Sequence, residues 1–112
     1  MNVELFAAVL ETDGHQLVIE RDGLAGQERA SAESFDLILL DVQLPTRDGI
    51  EVCRELRRRG VHTPICALSA SVLPEQVART SAAGFDLFLS KPIKPNDLRR
   101  AVRRMIAGGN GG

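Results

Sequence analysis

The sequence predicts one α/β domain in which a parallel sheet is covered by helices on both faces. Two observations predict it. Apolar runs and helical periodicities alternate along the whole chain in the order αβαβαβαβα, and the strand-like runs are apolar throughout rather than alternating with polar residues. At 112 residues the chain is long enough for one modest core and no second module.

The elements follow in order. Val3, Phe6 and Leu10 recur near helical spacing, widened by Leu5 and Val9, and Asp13-Gly14 ends this first helix. Gln16-Leu-Val-Ile-Glu20 is a short β-branched run stopped by Asp22-Gly23 and reads as a strand. Residues 24–33 form an Ala-rich helix interrupted by Gly26. Asp36-Leu-Ile-Leu-Leu40 is the clearest strand, a continuous apolar run between turn residues. Ile50, Cys53 and Leu56 share one side of a helix over 50–59 that stops before Gly60. Pro64-Ile-Cys-Ala-Leu68 is a second buried strand, Pro74 opens a polar helix to about Ala83, and Asp86-Leu-Phe-Leu89 is another strand. Leu98, Val102, Met105 and Ile106 supply the buried stripe of the last helix. Residues 1–107 are expected to form the domain and 108–112 a flexible Gly-rich tail.

Composition narrows the function classes. Apolar residues make up 44% and charged residues 26%, which argues against disorder. The formal net charge is -1 with acids and bases intermixed, so nothing draws the chain broadly toward nucleic acid or membrane surfaces. No apolar run reaches a membrane span, and Met1-Asn2-Val3-Glu4 carries no signal-peptide pattern, which makes a cytoplasmic location the expectation. Cys53 and Cys66 have no metal or redox spacing and are expected to be buried free thiols.

In a parallel sheet, ligand-binding and catalytic groups gather just past the carboxyl ends of the strands. Asp41 follows the 36–40 strand, Ser69 the 64–68 strand, and Ser90-Lys91 the 86–89 strand. A carboxylate, a hydroxyl and an ammonium thereby converge on one sheet edge. Asp oxygen is a nucleophile toward phosphoryl groups, and phosphoryl transfer depends on positioning and on neutralising the equatorial oxygens. Lys91 suits one oxygen, Ser69 another, and a divalent cation the third. Taken singly, Asp41 also reads as a turn or helix cap, Lys91 as a solvated lysine or simple ion-pair partner, and Ser69 as a cap for a loop amide. Arg57-Arg58-Arg59 reads better as cations at a helix C-terminus than as a phosphate patch, and Arg99, Arg100, Arg103 and Arg104 as a wet helix face. His15 and His62 lie beside turns without the neighbours a catalytic base needs.

Three segments in order, Asp41-Val-Gln-Leu-Pro-Thr-Arg-Asp-Gly49, Ala67-Leu-Ser-Ala70 and Phe88-Leu-Ser-Lys-Pro-Ile93, resemble the receiver domain of two-component response regulators, and the likeness spans essentially the whole chain. The resemblance implies a flavodoxin-like doubly wound sheet. It implies that Asp41 is the phosphoacceptor, Ser69 the switch hydroxyl and Lys91 the phosphate-binding lysine. Phe88 takes the place of the rotameric aromatic, and both a moving and a static core role stay open for it. Gln43 would offer its backbone carbonyl to Mg2+ beside Asp41, and the Lys91-Pro92 bond would be cis, with Pro92 as the cis-proline. The partners implied are a histidine kinase or histidine phosphotransfer protein; the domain itself would not be an enzyme beyond self-catalysed phosphoryl transfer and dephosphorylation.

One departure stands out. Receivers begin with a strand ending in two or three acids that hold the metal, whereas this chain begins at what reads as the first helix, with Met1-Asn2 matching the residues just after those acids. Glu4 and Glu11 sit on the first helix and Glu20 and Asp22 close the next strand, so no acid replaces the pair. A start at an internal Met of a longer gene, strands that close up or are borrowed from another copy, or a receiver that works without metal would each account for it. For the chain as it stands the expectation is a four-stranded or rearranged sheet, or a swapped or edge-paired homodimer. The leading functional reading is a phosphorylatable signalling domain; the alternative is a phosphorylation-independent interaction module. A small flavodoxin-like enzyme fits less well, because no glycine-rich phosphate loop follows any strand.

Overall fold

The computed structural model describes residues 3–70 and 73–111 of the chain. Met1-Asn2 therefore lies outside the described residues, as do the side chains of Val3 and Leu5 that the sequence puts on the first helical stripe. The elements are α1 (Val3–Thr12), α2 (Gly23–Ala32), β1 (Ile38–Asp41), α3 (Gly49–Arg58), β2 (Ile65–Ser69), α4 (Pro74–Ala83), β3 (Leu87–Ser90) and α5 (Pro95–Gly111). The sheet is parallel in the order β1-β2-β3, with Leu40 opposite Ala67 and Ala67 opposite Phe88.

All five residues of β2 are buried, which is why its sequence is apolar without alternation. On one face Cys66 and Leu68 meet Phe6 and Leu10 of α1 and Leu98, Val102 and Met105 of α5. On the other, Ile65 and Leu40 pack on Val52, Cys53 and Leu56 of α3, while Ala67 meets Ile50 and Ala83. Both cysteines are free and buried, and burial pushes the Cys53 thiol up to about 11 and the Cys66 thiol up to about 12. Each is a packing residue.

Local chemistry sets the helix ends. Asp48 caps α3 by accepting from the Glu51 amide at 3.0 Å. Gly60, with φ of 84°, lets the chain turn left-handed after α3, so that Val61 N donates to Leu56 O and Gly60 N to Arg57 O, both at 3.0 Å. Gly84, with φ of 107°, plays the same part for α4.

Arg57 does more than complement a helix dipole. Its guanidinium donates to the carbonyls of Val61 (2.9 Å), Thr63 (2.8 Å) and Gly84 (2.9 Å) and to Asp86 Oδ2 (2.9 Å). Asp86 Oδ2 in turn accepts from Ile65 N at 2.9 Å. One side chain thus ties the end of α3 to the turn before β2 and the turn before β3. Arg58 and Arg59 both clasp Glu55, and Arg59 reaches Glu28 of α2 at 3.1 Å.

Three features differ from the sequence reading. Residues 16–20 form no strand: a β-branched run becomes one only where a ladder accepts its backbone, and none of the three described strands pairs with it. Val18 and Ile19 there are each 45% exposed. The sheet consequently has three strands among the described residues, where four were expected. Gly26 does not interrupt α2, since one helical glycine costs only about 1 kcal/mol. α5 continues to Gly111, into the 108–112 segment that the sequence gives to a tail.

Arg57→Lys should lower stability by about 2 kcal/mol, because an ammonium cannot reproduce the guanidinium fork and leaves part-buried carbonyls short of donors. A fall in the urea midpoint with unchanged slope is the expected result, and an unchanged midpoint would refute the clamp. The hydrogen bonds from Arg58 and Arg59 hold the Glu55 carboxyl down to about 2 from an ordinary 4.5. That stabilisation is present above pH 4.5 and fades as pH falls toward 2, because the unfolded chain takes up the proton first. Glu55→Gln should accordingly lower Tm at pH 7, with the gap to wild type closing through this acid window; a gap that stays constant contradicts the assignment.

Candidate functional site

β1, β2 and β3 end on Asp41, Ser69 and Ser90, and parallel pairing brings these ends to one edge, with Ser69 opposite Ser90 and Asp41 opposite Leu68. Lys91 N donates to Ser69 O at 2.7 Å, extending the ladder one residue and delivering Lys91 to that edge. Its Nζ reaches over β2 to Asp41 Oδ2, also at 2.7 Å. The two side chains are only 18% and 12% exposed, so the pair is screened far less than one on the open surface. Gln43 N donates to Asp41 Oδ1 at 2.8 Å, so each carboxylate oxygen has a donor.

Ser69 is 4% exposed at the end of β2. Phe88 is partly buried against the group of Val42, Ile50, Ala67 and Ala83, on the α3 side of the sheet. The Lys91-Pro92 peptide bond is cis. The sequence-derived group of Asp41, Gln43, Ser69, Phe88, Lys91 and Pro92 thus lies at or beside the carboxyl end of the sheet.

The loop from Asp41 to α3 is pinned along its length. Val42 N donates to Leu68 O at 3.0 Å and Gly49 N to Val42 O at 2.8 Å. Gly49 has to be glycine, because a Cβ there would stand 2.3 Å from the Asp41 carbonyl oxygen. Midway, the loop is tied to the start of α2. Gly23 N donates to Pro45 O at 2.9 Å and Leu24 N to Thr46 Oγ1 at 3.1 Å, while the Thr46 hydroxyl donates to Asp22 Oδ1 at 2.7 Å. Asp22 is also the N-cap of α2, accepting from Ala25 N at 3.0 Å. The Ala25 amide and the Thr46 hydroxyl hold its carboxyl below the usual carboxylate range. A Cβ on Gly23 would stand 2.0 Å from the Arg47 carbonyl oxygen, so this contact too requires glycine.

Thr46 has φ of 67°, alone among the described non-glycine residues in that region. A β-branched residue held there costs on the order of 1–3 kcal/mol, so its surroundings must enforce it. Nearby, Arg47 Nε and Gln27 Oε1 are buried atoms without a hydrogen-bond partner, one in the loop and one on α2 a turn beyond Gly23. Sequence reading treated Asp22-Gly23 only as a strand stop and passed over Thr46. The N-cap signal at Asp22 was legible, but its 24-residue separation from Thr46 was not.

The Mg2+ expectation tests less well against the side chains. Among the described residues no three His, Cys, Asp or Glu side chains gather where they could hold a metal ion. The two Asp41 carboxylate oxygens already accept from Lys91 Nζ and Gln43 N. They do not make a preformed site, and the chemistry below takes no step through a metal. Among the described residues no helix is long and apolar enough to cross a membrane.

Comparison with known proteins agrees with the geometry. Residues 1–103 match the family model for the response regulator receiver domain. Sensor histidine kinase AruS of Pseudomonas aeruginosa is 40% identical over 106 residues, covering 91% of this chain and 11% of that protein. The regulatory protein PhoP of Bacillus subtilis is 34% identical over 93% of this chain and 43% of its own length. The chain thus spans a tenth to under half of these two relatives. Among solved structures, the receiver domain of Pseudomonas aeruginosa sensor histidine kinase PA1611, which holds a magnesium ion in its active-site cleft, is 32% identical with a TM-score of 0.86, covering 95% of this chain and 88% of that one. A receiver domain of a Syntrophus aciditrophicus histidine kinase, also 32% identical, has a TM-score of 0.83 over 95% and 82% of the two chains. With this match across nearly its whole length, a flavodoxin-like fold and the charged edge its strands end on, the chain belongs to the response regulator receiver domain family of two-component signalling.

Proposed function

We propose that Asp41 accepts a phosphoryl group from the phosphohistidine of a histidine kinase or histidine phosphotransfer protein, and that the resulting state is passed on through protein contacts. The observation that carries this reading is the Lys91 Nζ–Asp41 Oδ2 contact of 2.7 Å at the carboxyl edge of a parallel sheet, with Ser69 ending the strand between them. An ion pair serving stability alone has no need of that edge.

In the reaction an Asp41 carboxylate oxygen forms a bond to phosphorus as the phosphorus–nitrogen bond to the donor imidazole breaks. The imidazole leaves with the electron pair, and the product is an aspartyl phosphate. Lys91, already in contact, meets the charge on the transferred oxygens, and Ser69 supplies a hydroxyl on the neighbouring strand. Gln43 N, bound to the second carboxylate oxygen, fixes the side-chain rotation so that one oxygen faces the donor. Phe88 packs against Val42, Ile50, Ala67 and Ala83, so any switch at this ring is a change in packing, since phenylalanine has no hydroxyl to offer.

Incubation with a small phosphodonor, with and without Mg2+, should add one phosphoryl group to the chain by intact mass, and hydroxylamine should remove it. Asp41→Ala should gain none, and Lys91→Ala should react more slowly by on the order of a hundredfold. No gain in the wild type, or an equal gain in Asp41→Ala, overturns the reading.

A further inference from the structure

We propose that Asp22 and Thr46 form a latch that holds the loop after Asp41 in its reactive shape, making both of them positioning residues for phosphoryl acceptance. The inference rests on Asp41 being the acceptor, but its structural half can be judged without that.

Three observations carry it. Thr46 takes a left-handed backbone, φ 67°, that its branched side chain disfavours. The same side chain is the part that is tied down, donating to Asp22 Oδ1 at 2.7 Å and accepting from Leu24 N at 3.1 Å. Arg47 N donates to Pro45 O at 2.8 Å and closes the turn around Thr46, and the side-chain bond ties that turn to another element. Third, the loop and α2 meet at backbone distance, a Cβ on Gly23 standing 2.0 Å from Arg47 O, and each segment carries one buried polar atom without a partner, Arg47 Nε and Gln27 Oε1. The Asp22–Thr46 bond is one of three hydrogen bonds that tie the loop to the start of α2, with Gly23 N to Pro45 O and Leu24 N to Thr46 Oγ1, and the one made between two side chains.

What the latch positions is specific. The loop it spans begins at Asp41 and includes the Gln43 amide that fixes Asp41 Oδ1 at 2.8 Å. It ends at Gly49, which is bonded back to Val42 O at 2.8 Å. If Thr46 relaxed toward negative φ, the chain between those anchors would change direction, and the Gln43 amide would lose its aim. Asp22, on a different element, thereby sets the rotation of the Asp41 carboxylate without touching it.

Two substitutions at one position separate a latch from general stabilisation. Thr46→Val and Thr46→Gly both remove the hydroxyl and both leave Asp22 free to cap α2. Valine keeps the branched side chain's objection to positive φ, whereas glycine has none. Phosphoryl uptake from a small phosphodonor, followed by intact mass, should then be slower in Thr46→Val than in Thr46→Gly by on the order of tenfold. Asp22→Asn, which retains the acceptor, should stay nearer wild type than Asp22→Ala, and adding Thr46→Gly to Asp22→Ala should recover part of the lost rate. Hydrogen exchange supplies the second readout: the Gln43 and Gly49 amides should exchange faster in Thr46→Val than in Thr46→Gly, with Ala67 in β2 unchanged. Equal rates and equal exchange in the two variants overturn the latch, as does Thr46→Val matching wild type. A wild type that takes up no phosphoryl group sinks the acceptor reading instead, and the exchange comparison then decides the latch alone.

Discussion

The burial of β2 on both faces is the constraint from which the rest of the architecture follows. Ile65, Cys66 and Ala67 are each 0% exposed and Leu68 only 2%, so successive side chains must be met by helices above and below. That requirement places α1 and α5 against one face and α3 and α4 against the other. Helices between successive strands make those strands parallel, and parallel strands end together. The convergence of Asp41, Ser69 and Lys91 is thus a consequence of layering before it is a matter of chemistry. The apolar sequence of one central strand decides which edge of the molecule is charged.

Holding that edge in shape falls to contacts made at close range by backbone. Gly49 and Gly23 are both sites where a Cβ would fall within 2.3 Å of a carbonyl oxygen, and they lie at opposite sides of the 42–48 loop. The loop is therefore gripped by α3 at its end and by α2 at its middle. Arg57 performs the corresponding task at the far end of the sheet, where its guanidinium gathers the carbonyls of the turns leading into β2 and β3. One end of the sheet is locked by a single cation with five donors, and the other by glycine contacts and short hydrogen bonds that leave a carboxylate reachable.

The legibility of the sequence follows the range of each interaction. The 36–40, 64–68 and 86–89 runs were readable as strands because burial on both faces writes itself into consecutive residues. Asp41, Ser69 and Lys91 were readable because they stand directly after those runs. The 16–20 run misled for the complementary reason: its β-branched residues record a preference, and a ladder partner is a property of another segment. Arg57 looked like a helix-terminal cation since its acceptors, Gly84 and Asp86, lie 27 and 29 residues away. Thr46 carried no signal at all. Its significance is a backbone angle plus a bond to another element, and neither leaves a pattern in the residues beside it.

Charge balance at Asp41 indicates how the edge would read a phosphoryl group. The carboxylate and the Lys91 ammonium now cancel. An aspartyl phosphate replaces the carboxylate's single charge with about -1.5 to -2, so with Lys91 unchanged the site gains about half to one unit of net negative charge. In a place where the flanking side chains are 18% and 12% exposed, that excess is not dispersed by bulk water alone. It must be met by a cation, by the Ser69 hydroxyl or by amides of the 42–48 loop, and each of these draws a different element toward Asp41. Ser69 ends β2, whose Ala67 packs with Phe88, whereas the loop is tied to α2. The electrostatic demand is local, but because every available donor belongs to a separately anchored element, meeting it shifts a packed surface.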